Sequence, residues 1–225
     1  YVCPSHFVPL ATPGIVKQGL KWMWNSKSPF YVEPRLNAAL ISWGLKFMKS
    51  ATAKHVEESA VPLRDIAILS QHCYETWANI PDFDFAYEKK GLLEYFQTTE
   101  KEEHSHHAVE DAKKLGLDAV MLSAAEVQAM EPQVQLNIRG ALYFKCDAHL
   151  YPQKLMKGLL TILKQSGVQL LSNAEVTGFE MDGQQIRSVK TKQQQYDADV
   201  VVIATGSWSR EIASMAGLNL PLMPG

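Results

Sequence analysis

This 225-residue sequence holds no disulfide framework. Its three cysteines, Cys3, Cys73 and Cys146, are odd in number, widely spaced and without a CxxC pair. That pattern also argues against a zinc knuckle and suits a reducing compartment. Charge of one sign is scarce: 22 Lys and Arg against 24 Asp and Glu leave a net −2, no footprint for nucleic acid or an anionic membrane. The longest apolar run, residues 200–204, is far short of the roughly 20 residues a bilayer span needs. No signal-peptide pattern opens the chain. Neither a GxGxxG turn nor a P-loop occurs, so the sequence lacks a phosphate cradle of its own. No GxSxG nucleophile elbow occurs either: Thr205-Gly206-Ser207-Trp208-Ser209 has no second glycine where the elbow needs it. Ser5 and His6 are adjacent, which is not the spacing of a nucleophile and its base.

What is present is a packed protein. Apolar residues make up 46 % and charged residues 20 %, a balance that excludes a disordered chain. Its length fits one large domain or two small lobes. Residues 1–34 are punctuated by prolines but rich in rings (Trp22, Trp24, Phe30, Tyr31), so the segment is expected to lie against a core. Leu36, Leu40, Trp43 and Phe47 recur at helical spacing. A second helix is expected over about 57–78, with Leu63, Ile66, Ser70, Cys73 and Trp77 facing inward. Residues 83–88 and 92–97 alternate as strands around Lys89-Lys90-Gly91 and predict a hairpin. A charged helix over 100–115 closes at Gly116, and Ser123-Ala-Ala-Glu126 is a capping box for a short helix. Residues 141–144 predict a strand, and Pro152 opens a helix with a broad apolar face that ends at Gly167. Residues 168–171 read as a short strand, and Asp182-Gly183 as the turn of another hairpin. Residues 199–204 are nearly all apolar and β-branched, the texture of a strand buried on both faces of a parallel sheet. The fold class is mixed α/β in two lobes.

Two clusters invite a chemical reading. Glu103, His104 and His107 could face together from one helix as metal ligands, but the surrounding helix is charged on most of its surface and lacks the apolar enclosure that orients such ligands. A solvated face is the reading adopted, with no metal residues assigned; a His-rich metal-binding module and a non-catalytic lobe stay as readings of another class. The more specific stretches are Gly140-Ala-Leu-Tyr-Phe-Lys-Cys-Asp147-Ala-His149-Leu-Tyr-Pro152-Gln-Lys-Leu155 and Asp197-Ala-Asp-Val-Val-Val-Ile203-Ala204-Thr205-Gly206-Ser207-Trp208-Ser209. Each alone could be a strand, a turn and a helix start.

In combination the two stretches resemble the D-amino-acid oxidase-like family of FAD-dependent oxidoreductases, in its branch of D-amino-acid dehydrogenase small subunits and glycine oxidases. The residues that carry the resemblance are Gly140-Ala141, Asp147, Pro152, Leu155 and Leu159, then Val201, Val202, Ala204, Gly206, Trp208 and Ser209. Upstream, Gly91-Leu-Leu-Glu-Tyr95, Leu122-Ser-Ala-Ala-Glu126, Glu131-Pro132 and Leu20-Lys-Trp-Met-Trp24 add to it. The resemblance implies an α+β substrate-binding cap at residues 80–147. It also implies parts of an FAD-binding, Rossmann-like domain at 1–79, with a helical segment, and at 148–225. The cofactor implied is FAD. Tyr1 and Val2 would lie in the loop beside the flavin ring, Val176 would offer a backbone contact to the adenine, and Ala204, Thr205 and Gly206 would form the turn approaching the cofactor. Trp208 either touches FAD or packs under that turn. Asp147 and His149 read as a polar latch between cap and FAD domain. The catalytic residues are expected in a C-terminal part beyond Gly225, so none is assigned. These residues alone are expected to retain no flavin and to be inactive. The implied activity is oxidation of the Cα–N bond of a D-amino acid to an imine and then a 2-oxo acid, or oxygen-dependent oxidation of glycine- or sarcosine-type amines. A small-molecule amino acid or amine and an electron acceptor (quinone, carrier or oxygen) are the expected partners. Nucleic acid and a membrane span are not expected, and the expected location is the cytoplasm or the periphery of the inner membrane.

Overall fold

The structure, a computed structural model, describes residues 1–16, 19 and 38–222. The expected core contacts of Trp22, Trp24, Phe30 and Tyr31, and the place of Leu36, lie outside those residues. Two compact units form, Tyr1–Thr12 with Ala53–Val168 and Pro13–Thr52 with Gln169–Gly225.

The first unit is built on a three-stranded antiparallel sheet of β1 (Leu92–Phe96), β2 (Ala119–Ser123) and β3 (Gly140–Phe144). The last strand in sequence takes the centre: both β1 and β2 pair with β3, Leu92 and Ala119 opposite Phe144, Phe96 and Ser123 opposite Gly140. A central strand is paired along both edges, and β3 is also the most deeply buried of the three. On one face Leu142 and Phe144 meet Val109 and Ala112 of helix α3 (Thr99–Lys114), with Leu117, Ala119 and Phe7 completing the cluster. Burial of each large apolar side chain there contributes about 1.5–3 kcal/mol. The helix is capped at its start by Thr98, which accepts from Lys101 N, and is followed by Gly116 at φ +75°. The capping box forms as expected: Glu126 N donates to Ser123 Oγ at 3.3 Å, and Ser123 N donates to Glu126 Oε2 at 2.8 Å. Helix α4 (Ala124–Met130) follows.

A second cluster joins Phe83, Phe85 and Leu155 to Tyr74, Trp77, Leu159 and Ile162. It locks the end of α2 (Ala53–Ala78) to α5 (Pro152–Gln165), which starts with Pro152 in its first turn as expected. The Phe83 and Phe85 rings lie 5.0 Å apart, tilted by 48°. A Cβ on Gly158 would overlap the Phe83 ring, which accounts for a glycine inside a helix, where it otherwise costs about 1 kcal/mol.

Three sequence expectations are corrected in this unit. Residues 83–88 do not form a hairpin with β1. Phe83 and Phe85 both turn into the second cluster, the backbone takes positive φ at Asp82 and Ala86, and Glu88 instead pairs with His149. The apolar centre of β3 is the better partner for β1. The inner face of α2 is rotated from the expected one: Ile66, Ser70 and Cys73 are exposed, while Ala60, Leu63, Ala67, Gln71 and Tyr74 face inward. Two polar side chains set this angle, Gln71 donating to the Cys146 carbonyl (2.6 Å) and Arg64 to that of Leu115 (2.8 Å). In the predicted strand at 168–171, residue 168, which closes this unit, is not in a strand; neither are residues 169–171, which belong to the second unit.

The second unit contains α1 (Ala38–Ser50), where Trp43 and Phe47 stack at 5.2 Å, and an antiparallel meander of β4 (Val176–Asp182), β5 (Gln185–Thr191) and β6 (Gln195–Asp197). The Asp182-Gly183 turn joins β4 to β5 as its sequence predicts, with Gly183 at φ +61°. The short β6 completes the meander along β5, with Val189 opposite Tyr196. A 3₁₀ turn (Gly206–Trp208) and helix α6 (Ser209–Met215) follow, with Ala213 buried against the unit. Residues 199–204 are not the buried parallel strand that was expected. They pair with no strand among the described residues, and Val200 and Val202 are 80 % and 82 % exposed. A parallel strand exists only through its neighbours' hydrogen bonds, and none is supplied here.

Candidate functional site

Asp147 is the most deeply buried charged side chain described, 1 % exposed. The chain start is brought to it by a two-residue bridge: Val2 N donates to Ala148 O (2.8 Å) and Ala148 N to Val2 O (2.9 Å). Ser5 then meets the carboxylate twice, its backbone N–H donating to Oδ1 (3.1 Å) and its hydroxyl to Oδ2 (2.6 Å). A buried carboxylate requires such partners, since an unpaired one costs several kcal/mol. The Cys146 thiol adds a contact to Oδ1 at 3.5 Å. Burial, and after it the adjacent Asp147 charge, pushes both the Cys3 and the Cys146 thiol up to about 12. These two cysteines are therefore neutral at physiological pH and poor nucleophiles. His6 lies exposed at the rim, its Nδ1 3.2 Å from Ser5 Oγ. A cavity of about 400 Å³ opens here, lined by Tyr1, Cys3, His6 and Leu92.

Asp147, expected as a polar latch between cap and FAD domain, makes its contacts within the first unit, to Ser5 and Cys146, with Cys3 beside it. The available signal was two short polar groups in apolar surroundings, Cys3-Pro-Ser-His6 and Cys146-Asp147. Their pairing across 142 residues has no local signature. His149 is less engaged. Its backbone pairs with Glu88, and its Nε2 lies 3.7 Å from Glu88 Oε2 on the surface. Lys90 chiefly, with His149 adding, holds the Glu88 carboxyl below its ordinary value.

The remaining candidates are distributed as follows. Tyr1 is exposed and Val2 buried, both in the first unit. Val176 opens β4 opposite Thr191, and Ala204, Thr205, Gly206 and Trp208 lie exposed, all in the second unit. Gly206 has φ +56°, which favours glycine, and its turn is closed by Trp208 N donating to Thr205 O (3.1 Å). Trp208 does not pack under the turn: its indole is 70 % exposed. His104, His106 and His107 are exposed on α3. Among the described residues, three metal-type ligands come together only at Cys3, His6 and Asp147. No helix among them is long and apolar enough to cross a membrane.

Comparison with known proteins places this architecture. The D-amino acid dehydrogenase of Neisseria meningitidis serogroup C is 27 % identical over 227 residues, 98 % of this chain and 53 % of the relative. That of Helicobacter pylori is 32 % identical over 199 residues, 88 % of this chain and 47 % of the relative. The chain therefore spans about half the length of the curated relatives it matches. The solved glycine oxidase of Bacillus cereus is similar with a TM-score of 0.62 and 27 % identity, over 68 % of this chain and 43 % of its own. A family model described as FAD dependent oxidoreductase matches residues 35–225. The chain belongs to the FAD-dependent oxidoreductase family.

Proposed function

We propose that the protein containing this chain oxidises the Cα–N bond of a D-amino acid to an imine, which water then hydrolyses to a 2-oxo acid and ammonia. The observation that carries this reading is similarity along 98 % of the chain to a D-amino acid dehydrogenase. FAD, when bound, supplies the two-electron acceptor for the hydride equivalent leaving Cα.

The residues present fit part of such a cofactor. An exposed indole at Trp208 and an open turn at Gly206, where a Cβ would meet nothing within 4 Å, leave room for a ring and for close backbone approach. Val176 offers backbone groups at the start of β4, and Tyr1 an exposed phenol. The pyrophosphate has no cradle in these residues, because the sequence has no GxGxxG turn. We assign to this chain the positioning of ring and adenine through Tyr1, Val2, Val176, Ala204, Thr205, Gly206 and Trp208, with residues 80–147 as the substrate cap. The buried Asp147–Ser5 contacts hold the segment that carries Tyr1 and Val2, so their part is to fix that segment's path. A quinone or carrier takes the electrons in this reading, at a cytoplasmic site or at the periphery of the inner membrane.

The second reading, an oxygen-using oxidase of glycine- or sarcosine-type amines, rests on the likeness to the Bacillus cereus glycine oxidase. One experiment separates them. The flavin spectrum of the full protein is followed through anaerobic addition of D-amino acids, glycine and sarcosine, and then through exposure to oxygen or to a quinone. Bleaching by a D-amino acid with reoxidation by quinone supports the dehydrogenase. Bleaching by glycine or sarcosine with rapid reoxidation by oxygen supports the oxidase. A flavin spectrum that no amine bleaches refutes both.

A further inference from the structure

The group of Cys3, His6 and Asp147 is not used by the flavin reading, and none of the three is among the implied flavin contacts. Cys3 Sγ, a ring nitrogen of His6 and an oxygen of Asp147 lie within 4.8 Å of one another. A tetrahedral zinc ion holds such atoms roughly 3.3–3.6 Å apart, as its bond lengths of about 2.0–2.3 Å require. The exposed His6 ring and the half-buried Cys3 side chain are the two parts that would turn to close the difference. The donor set of one sulfur, one nitrogen and one oxygen matches zinc-class cations and not magnesium or calcium, which take oxygen ligands.

The surroundings have the features of a built site. Asp147 is oriented by two hydrogen bonds from Ser5, and the same hydroxyl touches His6 Nδ1. Orientation of ligating carboxylates and imidazoles by hydrogen bonds is what tunes metal affinity. The cavity lined by Tyr1, Cys3, His6 and Leu92 leaves a fourth position for water or a small ligand. The buried Asp147 charge, which disfavours a thiolate at Cys3, is balanced once a divalent cation sits between them.

We propose that Cys3, His6 and Asp147 form a binding site for one zinc-class divalent cation, oriented by Ser5 and open to this cavity. Binding displaces the Cys3 proton, so one proton leaves per ion and affinity rises with pH.

The test is a cobalt titration of the full protein under reducing conditions, with zinc as competitor. Cobalt is chosen because its thiolate charge-transfer absorption reports sulfur ligation and ignores the surface histidines of α3. One equivalent with that absorption, displaced by zinc, is expected. Cys3→Ser removes the band, Ser5→Ala weakens binding about 10–100-fold, and Cys73→Ser leaves both unchanged. His6→Ala, an exposed position, carries the same test should Cys3→Ser fail to fold, with binding weakened at least as far as in Ser5→Ala. No thiolate band in the wild-type protein overturns the proposal. So does a band that survives both Cys3→Ser and His6→Ala, or one lost in Cys146→Ser but kept in Cys3→Ser.

Discussion

Asp147 and the turn at Gly206 sit in different units and differ in almost every physical respect. The carboxylate is enclosed, held by two donors from Ser5 and flanked by two thiols kept protonated. The turn is open, its tryptophan projects outward, and the valines preceding it are among the most exposed apolar side chains described. In the first unit the sheet, α3 and the Phe83–Phe85 cluster complete their own cores. In the second, Val200 and Val202 are left exposed, while Val201 and Ile203 are half-buried. Substitutions in the first unit should therefore act mainly on stability, and those at the turn mainly on cofactor retention.

The sharpest break is expected from Phe85→Ala. This ring, almost fully buried, joins α2 to α5, and its removal should cost about 3–5 kcal/mol, read as a lower denaturant midpoint with unchanged slope. Asp147→Asn should cost less, about 1.5–3 kcal/mol, the range for hydrogen bonds to a charged group. Limited proteolysis should then detect release of the first six residues before the sheet opens. If proteolysis leaves that segment protected, Ser5 and Asp147 do not hold it.

How legible these features were depended on range. The capping box at Ser123, the Asp182-Gly183 turn and the helix start at Pro152 were readable because each signal is confined to a few neighbours. The rotation of α2 was not, because Gln71 and Arg64 find their acceptors 75 and 51 residues away. The pairing of β1 with β3 rather than with 83–88 was hidden for the same reason. The texture of residues 199–204 reads as a buried strand, but they form no strand here, because a strand's pairing and burial come from neighbours and not from composition. At the candidate site Asp147 stands out in the sequence, whereas its partner Ser5 and the neighbouring Cys3 do not.

A smaller effect tests the thiols. Both have folded values near 12 against an ordinary 9.0. The stability they contribute is fully present below about pH 9 and is lost as pH rises toward 12, because the unfolded thiols ionise first. Cys3→Ser with Cys146→Ser should flatten the alkaline limb of the stability profile. Alkylation at pH 8 should modify the exposed Cys73 well ahead of either. The smallest stability effect belongs to the second unit. Trp208→Ala should change unfolding by less than about 0.5 kcal/mol while reducing flavin retention in the full protein several-fold. Val176→Ala should alter retention by about twofold or less, since the inferred contact is backbone and survives truncation. Equal flavin retention in the wild type and Trp208→Ala would remove the indole from the cofactor site.

The strand order β1-β3-β2 has a kinetic side. Both outer strands are synthesised before the one that pairs them, so a growing chain carries two unpaired edges until residue 144 has emerged. Helices α3 and α4 can form locally in that interval, but the sheet must wait, and unpaired edges are where nascent chains associate wrongly. Ribosome-released fragments ending before Gly140 should therefore aggregate or be degraded, whereas fragments that include β3 have every strand of this sheet in hand.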